Sequence, residues 1–346
     1  MIESSIVNGV FLPNRESCLE YLRKLRWPDG VRCPHCGSSR IHRDGYTEKG
    51  AAKYHCLNCG RYFNDLTKTI FEHHKFPIEE MFYILKEMEN KSTLQISKEL
   101  GRKYDSVLAF VREVQEIAEK IEGEISLKDL VEIDEIYITA GEKGIKQDRP
   151  RRRGLRRRGR GTYEGDKPPV QAFTERRGKT RFFVKRNLSR DDTKKTLKTV
   201  AEGEIRVNTD EYSIYEGIDE LEIVKEHRFV NHSKEYAKDG VHVNTAENRH
   251  GFLRAWLKKF SGVLKHYLRN YISFFYISYG IKRKECEYKN ISIETIDVHI
   301  YLYLLHHIRS FSPVALFRIV GAYPYPAHYR YLPVTMLRCN LLCPLQ

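Results

Sequence analysis

The chain has no long hydrophobic run. Its longest apolar stretch, "IYLYLL" at Ile300–Leu305, falls far short of the roughly 20 residues that a membrane-spanning helix needs, so no membrane partner is expected. The opening residues, "MIESSIVNGVF", have neither a positively charged start nor a sustained apolar segment, so no signal peptide is expected. Cysteine is sparse: eight residues in 346, at 18, 33, 36, 56, 59, 286, 339 and 343. Four are tightly patterned and the rest are scattered, which excludes a disulfide framework in a chain this long and points to a reducing, intracellular compartment. Acidic residues are in deficit, 46 Asp and Glu against 60 Lys and Arg, for a net charge of +14. A basic excess of this size favours a polyanion as partner, most often nucleic acid. Hydrophobic residues make up 41% of the chain, enough for a real core, and its length allows two or three domains.

Residues 1–29 read as a helical lead-in, with Leu19, Leu22, Leu25 and Trp27 at roughly helical spacing. Residues 30–70 carry two CxxC knuckles, Cys33/Cys36 and Cys56/Cys59, with 19 residues between them. Each knuckle offers two thiolates from one tight turn, and two knuckles complete a tetrahedron, the ligand set of one structural Zn²⁺. Turn signals at Asp44-Gly45 and Lys49-Gly50 predict a β-hairpin between them. Residues 77–122 predict three helices: "PIEEMFYILKEMEN" with an apolar face of Met81, Ile84, Leu85 and Met88; "STLQISKELG", capped by Ser and stopped by Gly101; and a longer helix after it. That order is the helix-turn-helix pattern, which would bring Arg102 and Lys103 to a DNA groove.

From 128 to 290 the pattern becomes α/β. Strands are predicted at 130–138, 169–175, 180–187, 204–209 and 221–230, with helices at 191–201, 245–260 and 264–284. Between the first two strands, residues 143–165 form an arginine-rich loop in which eight of the twelve residues from Arg149 to Arg160 are arginine. So many like charges cannot pack together; Arg151, Arg152, Arg153, Arg156, Arg157 and Arg158 are candidate phosphate contacts. Residues 291–346 suggest one more helix and an irregular tail rich in Pro and Tyr.

The first of these strands, "LVEIDEIYIT", holds three acids among β-branched and aromatic residues. Asp134 shares a strand face with Glu132, and Glu135 takes the other; Glu132 and Glu135 are read as ordinary solvated acids. A second acid, Asp210, ends the strand of "EIRVNTDEYSIY". A third, Glu247, lies on the helix of "HVNTAENRHGFLRAWLKKF", for which Asn244 or Thr245 is the expected cap. At about 100° per residue, Arg254 and Lys258 each fall within about 20° of Glu247, with Phe252, Leu253, Trp256 and Phe260 on the other side. Three such carboxylates suit two Mg²⁺ or Mn²⁺ ions, which flank a phosphate about 4 Å apart, while Arg254 and Lys258 hold the neighbouring phosphates.

The set "VEIDEIYI", "RGRGTYEGDKPPV", "NTDEYSIY" and "NHSKEYAKDGVHVNTAENRHGFLRAWLKKFSGV", behind a zinc ribbon and a helix-turn-helix, resembles the DDE transposases of prokaryotic insertion sequences. The resemblance covers most of residues 18–285. It implies a mixed-sheet, ribonuclease H-like catalytic domain with Asp134, Asp210 and Glu247 as its triad. It also implies cleavage and strand transfer at terminal inverted repeats, on double-stranded DNA that includes both element ends and target. A homodimer or larger complex in the cytoplasm, with the nucleoid, follows from joining two ends. Many relatives have Trp at the position of Tyr212. Two other readings stay open at this level: a DNA-binding regulator without catalysis, and a ribonuclease H-like nuclease acting on branched or hybrid substrates.

Overall fold

The computed structural model of the chain describes residues 6–7, 10–142, 159–176, 178–230, 240–260 and 262–283. Most of the arginine run and all of residues 291–346, with Cys286, Cys339 and Cys343, lie outside the described residues.

A short hairpin of β1 (Ile6–Val7) and β2 (Val10–Phe11) precedes α1 (Arg15–Arg26), whose first turn is capped by Asn14 accepting from the Ser17 amide. Helix α1 buries Cys18, Leu19 and Leu22. Its end is held against the next module: buried Arg26 donates to the Thr67 carbonyl at 2.7 Å, and Trp27 packs edge-on against Tyr54. That module is an antiparallel sheet of β3 (Ile41–Tyr46), β4 (Ala52–Cys56) and β5 (Tyr62–Asn64). Only the second of the two turn signals makes the hairpin. Gly50, at φ 83°, sits in the turn, whereas Asp44-Gly45 lies inside β3 where the register slips between Arg43 and Tyr46. A glycine at φ 73° permits that bulge without ending the strand.

Helices α2 (Ile78–Glu87), α3 (Thr93–Glu99) and α4 (Tyr104–Gly123) follow, with Pro77 and Ser92 at the N-caps of the first two and Gly101 in the turn before the third. Helix α4 buries Val107, Phe110, Val111, Val114, Ala118 and Ile121 at steps of three and four, one apolar stripe.

Five strands form the second sheet: β6 (Leu127–Tyr137), β7 (Pro169–Glu175), β8 (Thr180–Val184), β9 (Ala201–Asp210) and β10 (Val224–Val230), with α5 (Arg190–Val200) between β8 and β9. Their spatial order is β10-β9-β6-β7-β8. Strands β6, β7 and β8 are an antiparallel meander, while β9 and β10 run parallel to β6. Helices α6 (Asn244–Leu257) and α7 (Leu268–Arg283) complete the layer. Three antiparallel strands, a crossover helix and two more strands parallel to the first, with the first at the centre, is the ribonuclease H-like order.

A buried acid joins the helices to this layer. Glu122, at the end of α4, is 0% exposed; its carboxylate accepts from the Phe182 amide at 2.9 Å and from Ser273 Oγ at 2.6 Å, and pairs with Arg269 at 2.8 Å. Trp256 of α6 donates to the Glu89 carbonyl just past α2 at 3.0 Å. No helix among the described residues is long and apolar enough to cross a membrane.

Candidate metal centres

The four patterned cysteines converge. Cys33 and Cys59 sulfurs are 3.7 Å apart, those of Cys36 and Cys56 are 3.6 Å apart, and all four lie within 4.8 Å of one another. Thiolates at about 2.3 Å from a tetrahedral Zn²⁺ stand about 3.8 Å from each other, so this spacing fits the ion. The amides of Cys59 and Asn58 draw the Cys56 thiol down to about 6, toward the thiolate that a ligand must be.

The second centre is assembled from the sheet. Adjacent strands β6 and β9 pair in parallel with Val131 opposite Val207 and Glu132 opposite Asn208. Carried two residues further, that register sets Asp134 beside Asp210. Carboxylate oxygens of Asp134, Glu135 and Asp210 lie within 4.8 Å of one another, and each residue is partly exposed. Ligands across a Mg²⁺ sphere stand about 4 Å apart, so the group fits a divalent ion, or a pair bridged by carboxylates, after a small contraction. Such crowding of negative charge is costly without cations. Burial, with Asp210 and Asp134 alongside, pushes Glu135 up to about 7, although the Tyr215 hydroxyl donates to it at 2.7 Å.

Glu135 was thus misread as a solvated acid. The alternation rule set it on the far face from Asp134, yet at the strand end the two carboxylates share one group. Two adjacent acids near the end of a strand were the available signal. Glu132 corrects the same expectation in another way: it is 0% exposed. It accepts from the Thr245 amide at 2.7 Å and the Ala246 amide at 3.3 Å, and pairs with Arg176 at 2.8 Å. It therefore supplies the cap of α6 that Asn244 or Thr245 was expected to give; Val243 occupies the N-cap and its side chain makes no capping bond.

Glu247 lies exposed in the first turn of α6 and is not in the group formed by Asp134, Glu135 and Asp210. One turn on, buried His250 brings Nδ1 to 3.2 Å from Asp134 Oδ2. Arg254 and Lys258 are exposed further along, and Leu253, Trp256 and Phe260 are buried as expected. Phe252 is not: it is 42% exposed and leans on Tyr279 with ring centroids 5.1 Å apart. Arg102 is held by Glu80, its Nη2 2.7 Å from the carboxylate, and Lys103 is the exposed N-cap of α4. From the arginine run only Arg160 is described. Its guanidinium stacks 3.5 Å from the Tyr212 ring centroid, and its charge opposes the upward shift of Glu135. Arg151, Arg152, Arg153, Arg156, Arg157 and Arg158 lie outside the described residues.

Strand order and acid group together define a ribonuclease H-like domain whose clustered carboxylates could hold a divalent ion. Residues 126–276 match the family described as ISXO2-like transposase domain, of the IS1595 type, and residues 13–62 match a transposase zinc-ribbon domain. A protein of Halobacterium salinarum, described as an uncharacterized protein in transposable element ISH50, is 33% identical over 268 residues, which are 76% of this chain and 90% of that one. Among solved structures, a pre-cleavage Mos1 transpososome is 10% identical, with 73% of this chain and 82% of that chain covered, at a TM-score of 0.28. A Mos1 mariner paired end complex with Mn is 11% identical over 69% and 78%, at 0.26. Superposition that poor adds nothing to the strand order. The chain belongs to the ISXO2-like transposase family, and its function is that of a DNA transposase.

Proposed function

We propose that this transposase is of the DDE type and acts through Asp134, Asp210 and Glu247. The observation that supports it is the meeting of Asp134, late in β6, with Asp210, at the end of the adjacent parallel β9, with α6 docked beside them. When bound, two Mg²⁺ or Mn²⁺ ions supply an activated attacking oxygen and neutralise charge on the leaving oxygen. Asp134 and Asp210 would hold them, and Glu247, carried on α6, would complete the set. Hydrolysis at each element end breaks a P–O3′ bond and frees a 3′-hydroxyl, which then attacks a target phosphorus in line, forming a new phosphodiester as the target strand's 3′-oxygen leaves, with no covalent bond to the protein. Arg254 and Lys258 hold flanking phosphates, and Arg160, stacked on Tyr212, stands beside the acids to meet another.

In this reading the zinc ribbon (30–70) and the helix-turn-helix (77–122) bind the terminal inverted repeats, with Arg102 and Lys103 at the groove; the arginine run within 143–165 meets DNA phosphates, and residues 128–290 catalyse. Two ends require at least a dimer, working on DNA in the cytoplasm. The test incubates the full chain with duplexes of its own element ends and Mg²⁺ or Mn²⁺. The parent nicks the ends, and Asp134→Asn binds them without nicking. An Asp134→Asn variant that nicks at the parental rate removes the reading.

A further inference from the structure

Of the acids on β6, Glu132 is the one farthest from solvent, and its contacts all converge on the chain that enters α6. Beyond the two amides, Thr245 Oγ1 donates to its carboxylate at 3.0 Å, and His242 Nδ1 lies 3.4 Å away. Its partner Arg176, directly after β7, reaches the same segment: Nη1 donates to the Gly240 carbonyl at 2.8 Å and Nη2 to the His242 carbonyl at 3.2 Å. Asn208 of β9 donates to that His242 carbonyl at 3.4 Å. Residues 240–246 are therefore fastened to the sheet through side chains of β6, β9 and the end of β7. A carboxylate on the first-turn amides also meets the positive end of the helix dipole, where it is stabilised most.

The second fastening is His250 on Asp134. Its Nε2 is buried and has no hydrogen-bond partner among the described residues, so Nδ1 makes the polar contact. The spacings agree. Glu132 to Asp134 is two residues of strand, about 6.7 Å. Thr245 to His250 is five residues of helix, about 7.5 Å. Helix α6 thus lies along β6 in the same sense, bound at both ends of one strand repeat, and Glu247 falls between the two attachments.

We infer that Glu132, with Arg176, is a positioning residue of the catalytic centre: it fixes the depth and register of α6 against β6, and so the place of the third acid over the first. The inference rests on the proposed role of Glu247. Fully buried, Glu132 acts through α6 rather than on the metal or the DNA itself.

The experiment measures Mn²⁺-dependent nicking of end duplexes by the full chain, with the Mn²⁺ concentration for half-maximal rate, DNA affinity and thermal unfolding read alongside. Outer partners of metal ligands commonly carry about 10–100-fold in metal affinity or activity. Glu132→Gln is expected to lower the nicking rate about tenfold or more and to raise half-saturating Mn²⁺, with DNA affinity unchanged. Thr245→Val removes a single bond to Glu132 and leaves its ion pair intact; it is expected to move both quantities the same way by about two- to tenfold. A folding defect alone would lower the amount of active protein without moving half-saturating Mn²⁺. The inference is overturned if both variants keep the parental rate and Mn²⁺ requirement while Glu247→Gln is inactive. Should Glu247→Gln nick like the parent, the triad reading fails instead.

Discussion

The four zinc-site thiols come from 27 consecutive residues, Cys33 to Cys59, whereas Asp134 and Asp210 are 76 positions apart and belong to different strands. In the ribbon, each knuckle places two ligands by its own backbone, and a hairpin brings the knuckles together. In the sheet, Asp210 has no local reason to be near Asp134 and Glu135; the parallel pairing of β6 with β9 makes them neighbours. The ribbon buries only a small cluster around Tyr54, Cys56 and Phe63, so it relies on its ion for stability. The sheet is held by its own core, including Ile133, Ile136, Phe173 and Val207, and keeps its acid group in place against repulsion. One centre is made by its metal; the other is made ready for metal.

The largest test of that contrast removes zinc. Structural zinc contributes on the order of 10 kcal/mol to small ribbons. Cys56→Ser should therefore abolish the single bound zinc and the hydrogen-exchange protection of β3, β4 and β5, while β6 and β9 stay protected. Loss of protection in both sheets would mean the two are not separately stabilised.

Removing a sheet ligand should do the reverse. Asp210→Asn is expected to leave zinc content and thermal unfolding close to the parent, and to lower nicking by more than the roughly 100-fold ceiling typical of outer partners. Equal loss of zinc would break the comparison.

A pH series sharpens it further. Folding raises Glu135 from its ordinary 4.5 to about 7. The folded, metal-free state therefore binds the proton more tightly than the unfolded chain, and stability from this group is lost as pH rises from about 4.5 through about 7. The loss is on the order of 3 kcal/mol. Cations relieve the same repulsion, so the thermal shift from added Mn²⁺ should be larger at pH 8 than at pH 6. An equal shift at both would remove Glu135 from the metal group.

The smallest effect concerns Arg160. Tyr212→Leu deletes the ring beneath its guanidinium and should weaken DNA binding about two- to fivefold, whereas Tyr212→Trp, a better cation–π partner, should not weaken it. Fluorescence-detected binding to end duplexes measures both.

Legibility followed range. The knuckles, the Ser92 cap, the Gly101 stop and the strand at 169–175 depend on neighbours in the chain, and the residue pattern located them; it also found the strand predicted at 221–230, which begins at Val224. Strand β9 starts earlier than its alternation suggested, directly from the end of α5, because pairing of Ala201 with Leu127 of β6 recruits residues whose own pattern is weak. Glu132 was opaque for the same reason: an acid flanked by Val131 and Ile133 looks like a wet edge until α6 lays its open amides on it.

Composition and spacing by themselves determined a zinc ribbon, three helices and an α/β layer, because thiolate knuckles, caps and period-two or period-3.6 patterns act within a few residues. Tertiary structure alone decided which acids meet, which one caps a helix and which arginine stands beside them. Those outcomes rest on strand register and helix docking, and contacts between residues 52 to 114 positions apart leave no trace in local sequence.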